Sequence, residues 1–265
     1  VSRDEAVERG IMQRLREMEK RLETALSLLH HELGPVYCFD SVKSTMDTAF
    51  GMEAAEIGDK TIIFSDRQTR GRGRHGRKWY SAKGSLIFSI ILTAYDIRIP
   101  YSMVASYALY RAFTRFTQDV RLKWINDILW ENGKKIAGVL TEERKKRTVI
   151  GMGINLNNVY IPSRVSRIAT SYYIETGNQI LKEEFLVTIM DELLTLLGNV
   201  ENNGTEEILA AWENDAGIRN RSVKVVNGER EIFGTALGID KKTGALRVKA
   251  GKEEIDFYEG TLFYT

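Results

Sequence analysis

The chain of 265 residues has one cysteine, three prolines and no long apolar run. Cys38 alone cannot close an internal disulfide, so a reducing, cytoplasmic setting is expected. The scarcity of proline argues against disordered linkers. No apolar stretch approaches the ~20 residues that a membrane helix needs. Arg3, Asp4 and Glu5 stand where a secretory leader would be apolar, so no leader is expected. Net charge is +2, from 38 basic and 36 acidic residues. That is poor support for bulk nucleic-acid binding. The P-loop lysine motif, zinc-type Cys/His spacing and the Gly-x-Ser-x-Gly elbow are all absent. His30, His31 and His75 show no metal-ligand spacing and read as surface residues.

What the chain does have is a concentrated basic stretch from Arg67 to Trp79. It holds six cations and three glycines in thirteen residues. The glycines disfavour helix and strand, and the arginines repel one another in any compact arrangement. Arginine offers a planar fork of donors to carboxylate or phosphate. The stretch therefore implies an anionic ligand, with Gly71, Gly73 and Gly76 letting the backbone approach it. Until such a ligand arrives, its charges are expected to lack partners and the loop to be mobile.

Periodicity places the motifs in a mixed α/β chain. Residues 1 to 33 read as one amphipathic helix, with Ile11, Leu15, Met18, Leu22, Ala25, Leu26 and Leu29 on one face. Gly34-Pro35 is expected to end it. A strand at Val36–Phe39 leads to a helix at Ser44–Ile57 and a strand at Thr61–Phe64. Ser85–Thr93 reads as a buried strand, and Tyr101–Thr117 as a helix. Strands follow at Arg121–Trp124, Asp127–Trp130, Lys135–Glu142 and Thr148–Leu156, with a hairpin turn at Asn132-Gly133. Helices are expected at Lys182–Leu197 and Thr205–Ala216. Four short strands then follow, at Val223–Val226, Glu231–Leu237, Ala245–Val248 and Glu254–Tyr258. Their tight turns predict a small β-barrel of roughly 45 residues. The expected domains are an N-terminal helix (1–34), a catalytic domain (35–217) and the barrel (218–265).

Three further constellations stand out. Lys123 ends an apolar strand beside Trp124 and precedes Asn126 and Asp127; a snorkelling surface lysine is the plain alternative. Lys135 opens another apolar strand, so the two lysines are candidates to face one anion. Ser44-Thr45 begins a helix, where capping is the usual role, but the hydroxyls also suit a polar, uncharged ligand group. Gly151-x-Gly153 marks a bulge or a close approach to the backbone.

Read in order, four motifs resemble the biotin protein ligases. They are Gln68-Thr69-x-Gly71-Arg72-Gly73-Arg74-x-Gly76-Arg77-x-Trp79, Lys123-Trp124-x-Asn126-Asp127, Lys135-Ile136-Ala137-Gly138 and Gly151-x-Gly153-Ile154-Asn155. The resemblance runs from about Val36 to the end. It implies an α/β (α+β) catalytic domain, with a mixed sheet and flanking helices, followed by an SH3-like barrel.

The resemblance also implies a reaction. Biotin's carboxylate attacks the α-phosphate of ATP, giving biotinyl-5′-AMP and pyrophosphate. A lysine of a biotin carboxyl carrier protein then takes the biotin. Two anions meet in the first step, so clustered cations are required. No covalent enzyme intermediate is needed, in keeping with the missing nucleophile motif.

By resemblance, Ser44, Thr45 and Gln68 bond the ureido ring of biotin. Gly71, Arg72, Gly73 and Arg74 cover its tail and the adenylate phosphate. Lys123 meets the carboxylate or phosphate. Arg74, Arg77, Trp79, Asn126, Lys135 and Asn155 serve ATP, with Asn155 on the adenine. Arg72, Arg74, Lys123 and Asp127 form the catalytic set, and Asp127 is the candidate for Mg2+ or the incoming lysine. A homodimer is common in the family and is left open here.

Three departures qualify the match. Met46 stands where asparagine often follows Ser-Thr. Ile125 stands where proline usually separates Trp from Asn-Asp. No tryptophan for adenine stacking lies near Thr170–Tyr173. One helix before Val36 is too short for a winged-helix repressor domain, so no DNA-binding domain is expected. A lipoate ligase is the nearest rival, and a nucleic-acid-binding module a more distant one.

Overall fold

The computed structural model describes residues 3–29, 31–95, 97–144 and 147–265, with side chains from residue 9 onward. The first two residues of the expected N-terminal helix, and His30, lie outside the described residues. The elements run α1 (Arg3–Leu26), β1 (Val36–Val42), α2 (Thr45–Gly51), β2 (Thr61–Gln68), β3 (Leu86–Leu92), α3 (Tyr101–Thr114), β4 (Val120–Lys123) and β5 (Asp127–Trp130). They continue with β6 (Lys135–Arg144), β7 (Arg147–Ile154), α4 (Tyr172–Thr176), α5 (Lys182–Asn203) and α6 (Glu206–Ala216). Five strands close the chain: β8 (Ser222–Asn227), β9 (Arg230–Ile239), β10 (Leu246–Ala250), β11 (Glu253–Phe257) and β12 (Thr261–Tyr264). Two compact units divide it: Val1–Ala94 with Lys134–Asp191, and Tyr95–Gly133 with Glu192–Thr265.

In the first unit, strands lie in the order β1-β2-β3-β7-β6. β1 is parallel to β2 and the other pairs are antiparallel. β3, Leu-Ile-Phe-Ser-Ile-Ile-Leu, is buried along its whole length, as a run rich in isoleucine requires of a central strand. α2 covers one face, where Met46, Ala49, Ile63, Ile91 and Val149 form an apolar cluster with Tyr37, Phe39 and Leu140 at its edge. α1 packs on β1 through buried Leu22 and Leu26. Glu19 accepts a 2.9 Å bond from the Cys38 amide, and Arg14 pairs with Asp40.

Several boundaries differ from the sequence expectation. α1 ends at Leu26, not near Gly34-Pro35, because Leu29 bonds back only three residues to Leu26 and Leu28 is exposed. α2 stops at Gly51; Met52 is extended, and a separate 3-10 turn at Ala54–Glu56 is closed by a capping box between Glu53 and Glu56. β2 extends beyond Phe64, since Arg67 and Gln68 pair with Ser41 and Val42 of β1. Backbone pairing thus carries the strand past its apolar run and into the basic stretch.

In the second unit, β4 and β5 form a hairpin against α3. The last five strands make an antiparallel sheet in the order β11-β10-β9-β8-β12. The fifth, β12, was absent from the expected set; it pairs with β8 and buries Leu262 between half-buried Thr261 and exposed Phe263. α6 is tied to this sheet by Glu213. Its carboxylate accepts from the Ile239 amide at 2.5 Å, from Arg219 at 2.8 Å and from Lys241 at 2.9 Å.

Candidate active site

A polar cluster forms where α2, β2 and β3 meet. Ser44 caps α2, its Oγ accepting from the Asp47 amide at 3.4 Å. The expected capping role is therefore present. Thr45 donates to Gln68 Oε1 from its backbone N at 2.8 Å and its hydroxyl at 3.2 Å. The same hydroxyl shares a 2.8 Å bond with Ser89 Oγ. Ser44, Thr45 and Ser89 are all buried. Three of the residues assigned to an uncharged ligand ring therefore sit together, with Ser89 beneath them.

The basic stretch carries local backbone pairing. Arg72 bridges to Lys78, the Gly73 amide donates to the Arg77 carbonyl at 2.7 Å, and the Trp79 amide to the Gly71 carbonyl at 2.9 Å. A 3-10 turn at Arg74–Gly76 forms the tip, where Gly76 has a positive φ of 70° that favours glycine. Gly71 serves a different need: a β-carbon there would lie 2.7 Å from the Trp79 carbonyl and 2.9 Å from Gln68 Nε2. The backbone of Gly71 is approached closely by the protein itself. His75 is exposed at the tip, while His31 is half-buried.

The loop's charges do not all wait for a ligand. Arg72 Nη1 donates to Glu142 Oε1 at 2.6 Å, and Nη2 to Asp47 Oδ1 at 2.7 Å. Burial alone would lower the Arg72 pKa, but Glu142 and then Asp47 raise it above its ordinary value. Arg72 Nε is buried with no hydrogen-bond partner among the described residues. Asp47, Glu142 and Ser89 were not singled out from sequence. Asp47 and Glu142 lie at the start of a short helix and the far end of a strand, where a carboxylate normally reads as solvated surface.

The two glycines of Gly151-x-Gly153 are explained by side chains. A β-carbon at Gly153 would lie 2.4 Å from Trp79 Cε2, and one at Gly151 would lie 2.8 Å from Met46 Cγ and Sδ. Trp79 is half-buried against the sheet, and Lys135 Nζ stands 5.7 Å from the centre of its ring. Met46 is a core residue, 4% exposed. Asn155 is buried too, with Nδ2 donating to the Thr170 carbonyl at 2.9 Å. Arg74 and Arg77 stand at the loop's tip and its closing side.

Lys123, Asn126 and Asp127 belong to the second unit. Lys123 and Asp127 are directly opposed across the β4–β5 hairpin. Trp124, Ile125 and Asn126 between them are buried, the Trp124–Ile125 peptide is cis, and Ser106 donates to the Ile125 carbonyl at 3.2 Å. Lys123 is half-buried, with Nζ 5.4 Å from the ring centre of Phe263.

Residues 38–157 match the model of the biotin/lipoate A/B protein ligase family. The chain is 32% identical over 201 residues to the bifunctional ligase/repressor BirA of Escherichia coli, covering 72% of this chain and 62% of that protein. It is 31% identical over 215 residues to the Bacillus subtilis bifunctional ligase/repressor, covering 76% and 65%. It thus spans less than two thirds of the length of these relatives. The biotin protein ligase of Aquifex aeolicus, solved in complex with biotin and ATP, superposes with a TM-score of 0.79 at 27% identity. That match covers 87% of this chain and 99% of the other. Residues 38–157 of the chain are thus similar to the biotin/lipoate A/B protein ligase family, and its fold is that of the biotin protein ligase of Aquifex aeolicus.

Proposed function

We propose that this chain joins biotin to ATP as biotinyl-5′-AMP and transfers the biotin to a lysine of a biotin carboxyl carrier protein. The observation that carries the reading is the adjacency of two unlike recognition elements. Thr45 and Gln68 form a neutral hydrogen-bonding cluster, and four residues beyond Gln68 the basic loop presents Arg72. Biotin has the matching polarity, with an uncharged cyclic urea at one end and a carboxylate at the other. The named relatives and the likeness to a ligase solved with biotin and ATP support the same choice.

In this reading Ser44, Thr45 and Gln68 hold the ureido ring. Gly71, Arg72, Gly73 and Arg74 enclose the tail and the phosphate. Arg77, Trp79, Asn126, Lys135 and Asn155 serve the nucleotide. Asn155 has its Nδ2 engaged by Thr170, so its Oδ1 is the atom left to meet the adenine. Lys123 offsets charge on the reacting oxygens. Arg72, Arg74, Lys123 and Asp127 form the catalytic set.

Among the described residues no three His, Cys, Asp or Glu side chains gather as a metal cage. Asp127 would be the carboxylate to hold an Mg2+ brought in with ATP, which would offset phosphate charge, or it would position the incoming lysine. A lone carboxylate suits an ion commonly bound through one or two carboxylates plus substrate phosphates. A cytoplasmic setting is part of the proposal. Its ground is the single cysteine, which cannot form an internal disulfide; burial, with Glu19 and Asp66 nearby, pushes the Cys38 thiol up to about 12. Among the described residues no helix is long and apolar enough to cross a membrane.

Intact-mass analysis of a biotin carboxyl carrier domain incubated with this chain, biotin and MgATP tests the reading. The expected result is a mass gain of one biotinyl group. Modification with lipoate and not with biotin would overturn it.

A further inference from the structure

Arg72, Asp47, Glu142 and Arg144 form a chain of alternating charge. Asp47 Oδ1 accepts from Arg72 Nη2 at 2.7 Å, Glu142 Oε1 from Arg72 Nη1 at 2.6 Å, and Glu142 Oε2 from Arg144 Nη2 at 2.5 Å. Its formal charges cancel. Arg72 therefore brings little net charge to an incoming anion while both carboxylates stay in place.

The two carboxylates are not equivalent. Glu142 is 22% exposed and held by two arginines; Asp47 is 47% exposed and held by Arg72 alone among the described side chains. They also sit on different parts of the guanidinium. Glu142 takes the Nη1 end. Asp47 takes Nη2 with one oxygen and leaves Nε, the other donor of that edge, buried and unpaired. Nε and Nη2 together are the edge through which arginine grips a carboxylate or phosphate with two parallel bonds. Arg247 shows that grip in the same chain, with Nε on Asp256 Oδ1 at 2.8 Å and Nη2 on Asp256 Oδ2 at 2.9 Å. In Arg72 the edge is half-used, and by the more exposed partner.

We propose that Asp47 is an exchangeable internal anion. It occupies the Nη2 position of Arg72 and yields to the carboxylate or phosphate of the ligand, while Glu142, kept in place by Arg144, anchors the arginine. The exchange trades one single-point bond for two and satisfies the orphan Nε. It rests on the biotin-adenylate reading of the site. Asp47 is in this sense a positioning residue whose presence weakens binding. A partly exposed ion pair contributes little, so the exchange costs little.

Biotin affinity measured by calorimetry on the full chain, with Asp47→Asn and Glu142→Gln beside the unmodified protein, tests the proposal. Asp47→Asn is expected to bind biotin about two- to five-fold tighter, the range a partly exposed ion pair allows, and Glu142→Gln to bind it more weakly. The gain should shrink as salt is raised. A purely structural role for Asp47 would weaken binding, so the direction alone separates the two. Asp47→Ala provides the same comparison if the asparagine variant melts early. Unchanged or weaker binding by either well-folded Asp47 variant, beside normal binding by the unmodified chain, would overturn the exchange alone. Failure of the unmodified chain to bind biotin would overturn both the exchange and the functional reading.

Discussion

The indole of Trp79 rests on Gly153, close enough that a β-carbon at the glycine would lie 2.4 Å from Trp79 Cε2. Lys135 sits over the same ring, so the glycine, tryptophan and lysine form one stack on the sheet. Gly153→Ala should therefore push the ring, and Lys135 with it, away from the sheet. Overpacking of this kind costs about 1–3 kcal/mol, so the chain should still fold. Adenylate formation should fall by more than the melting temperature suggests. Unimpaired turnover in Gly153→Ala would remove Trp79 and Lys135 from the nucleotide site.

Met46 fills the space that Gly151 leaves. At 4% exposure, within the cluster of Ala49, Ile63, Ile91 and Val149, it belongs to the core. Restoring the asparagine common in the family, Met46→Asn, would put an amide among apolar side chains. Lost packing and desolvation together are expected to cost about 2–5 kcal/mol. Biotin affinity should not improve. Denaturant titration and calorimetry check the two halves, and a tighter complex would show that position 46 faces the ligand after all.

The parts of this site legible in the sequence were those with unusual local chemistry. A strand such as Leu86–Leu92 is readable because every residue is buried, and Ser44 because a hydroxyl at a helix start has one common job. The run from Gly71 to Trp79 is readable because its composition suits no regular element. Pairing and sidedness were not legible. β2 continues to Gln68 through ladder bonds to β1, which no apolar pattern marks. Gly151 and Gly153 signalled close approach, but whether a ligand or a side chain does the approaching depends on β3, β7 and α2 coming together. Asp47 and Glu142 were invisible for the same reason. Each is 25 or more residues from Arg72, and a carboxylate acquires meaning only from the cation it meets.

Arg72→Ala should abolish retention of the adenylate while lowering stability only slightly. The side chain is 34% exposed and its pairs with Asp47 and Glu142 are partly solvated, so each contributes on the order of 0.2–1 kcal/mol. Removing it also leaves Asp47 and Glu142 without their shared cation, which adds repulsion where the ligand's own anions must sit. Trapping radiolabelled AMP on the protein, alongside a melting curve, measures both effects. A fall in melting temperature as severe as that of a core variant such as Met46→Asn would show that Arg72 is chiefly structural.

Glu213 makes the stability of the second unit sensitive to acid. Burial would raise its pKa, but the Ile239 amide, Lys241 and Arg219 together bring it below the ordinary value. A carboxylate whose folded pKa is depressed adds stability that is complete above its unfolded pKa, about 4.3, and is lost as pH falls through the lower folded value. The contribution is therefore present at neutral pH and should fade below about pH 4.3. Glu213→Gln removes the titration. Its melting temperature should be lower than that of the unmodified chain at pH 7, with the gap closing as the pH falls below about 4.3 and through the lower folded value. It should also loosen the α6 tether, since a neutral amide cannot accept from an amide N–H and two cations with the same strength. A gap that stays constant across that range would mean that Glu213 acts through packing and not through its charge.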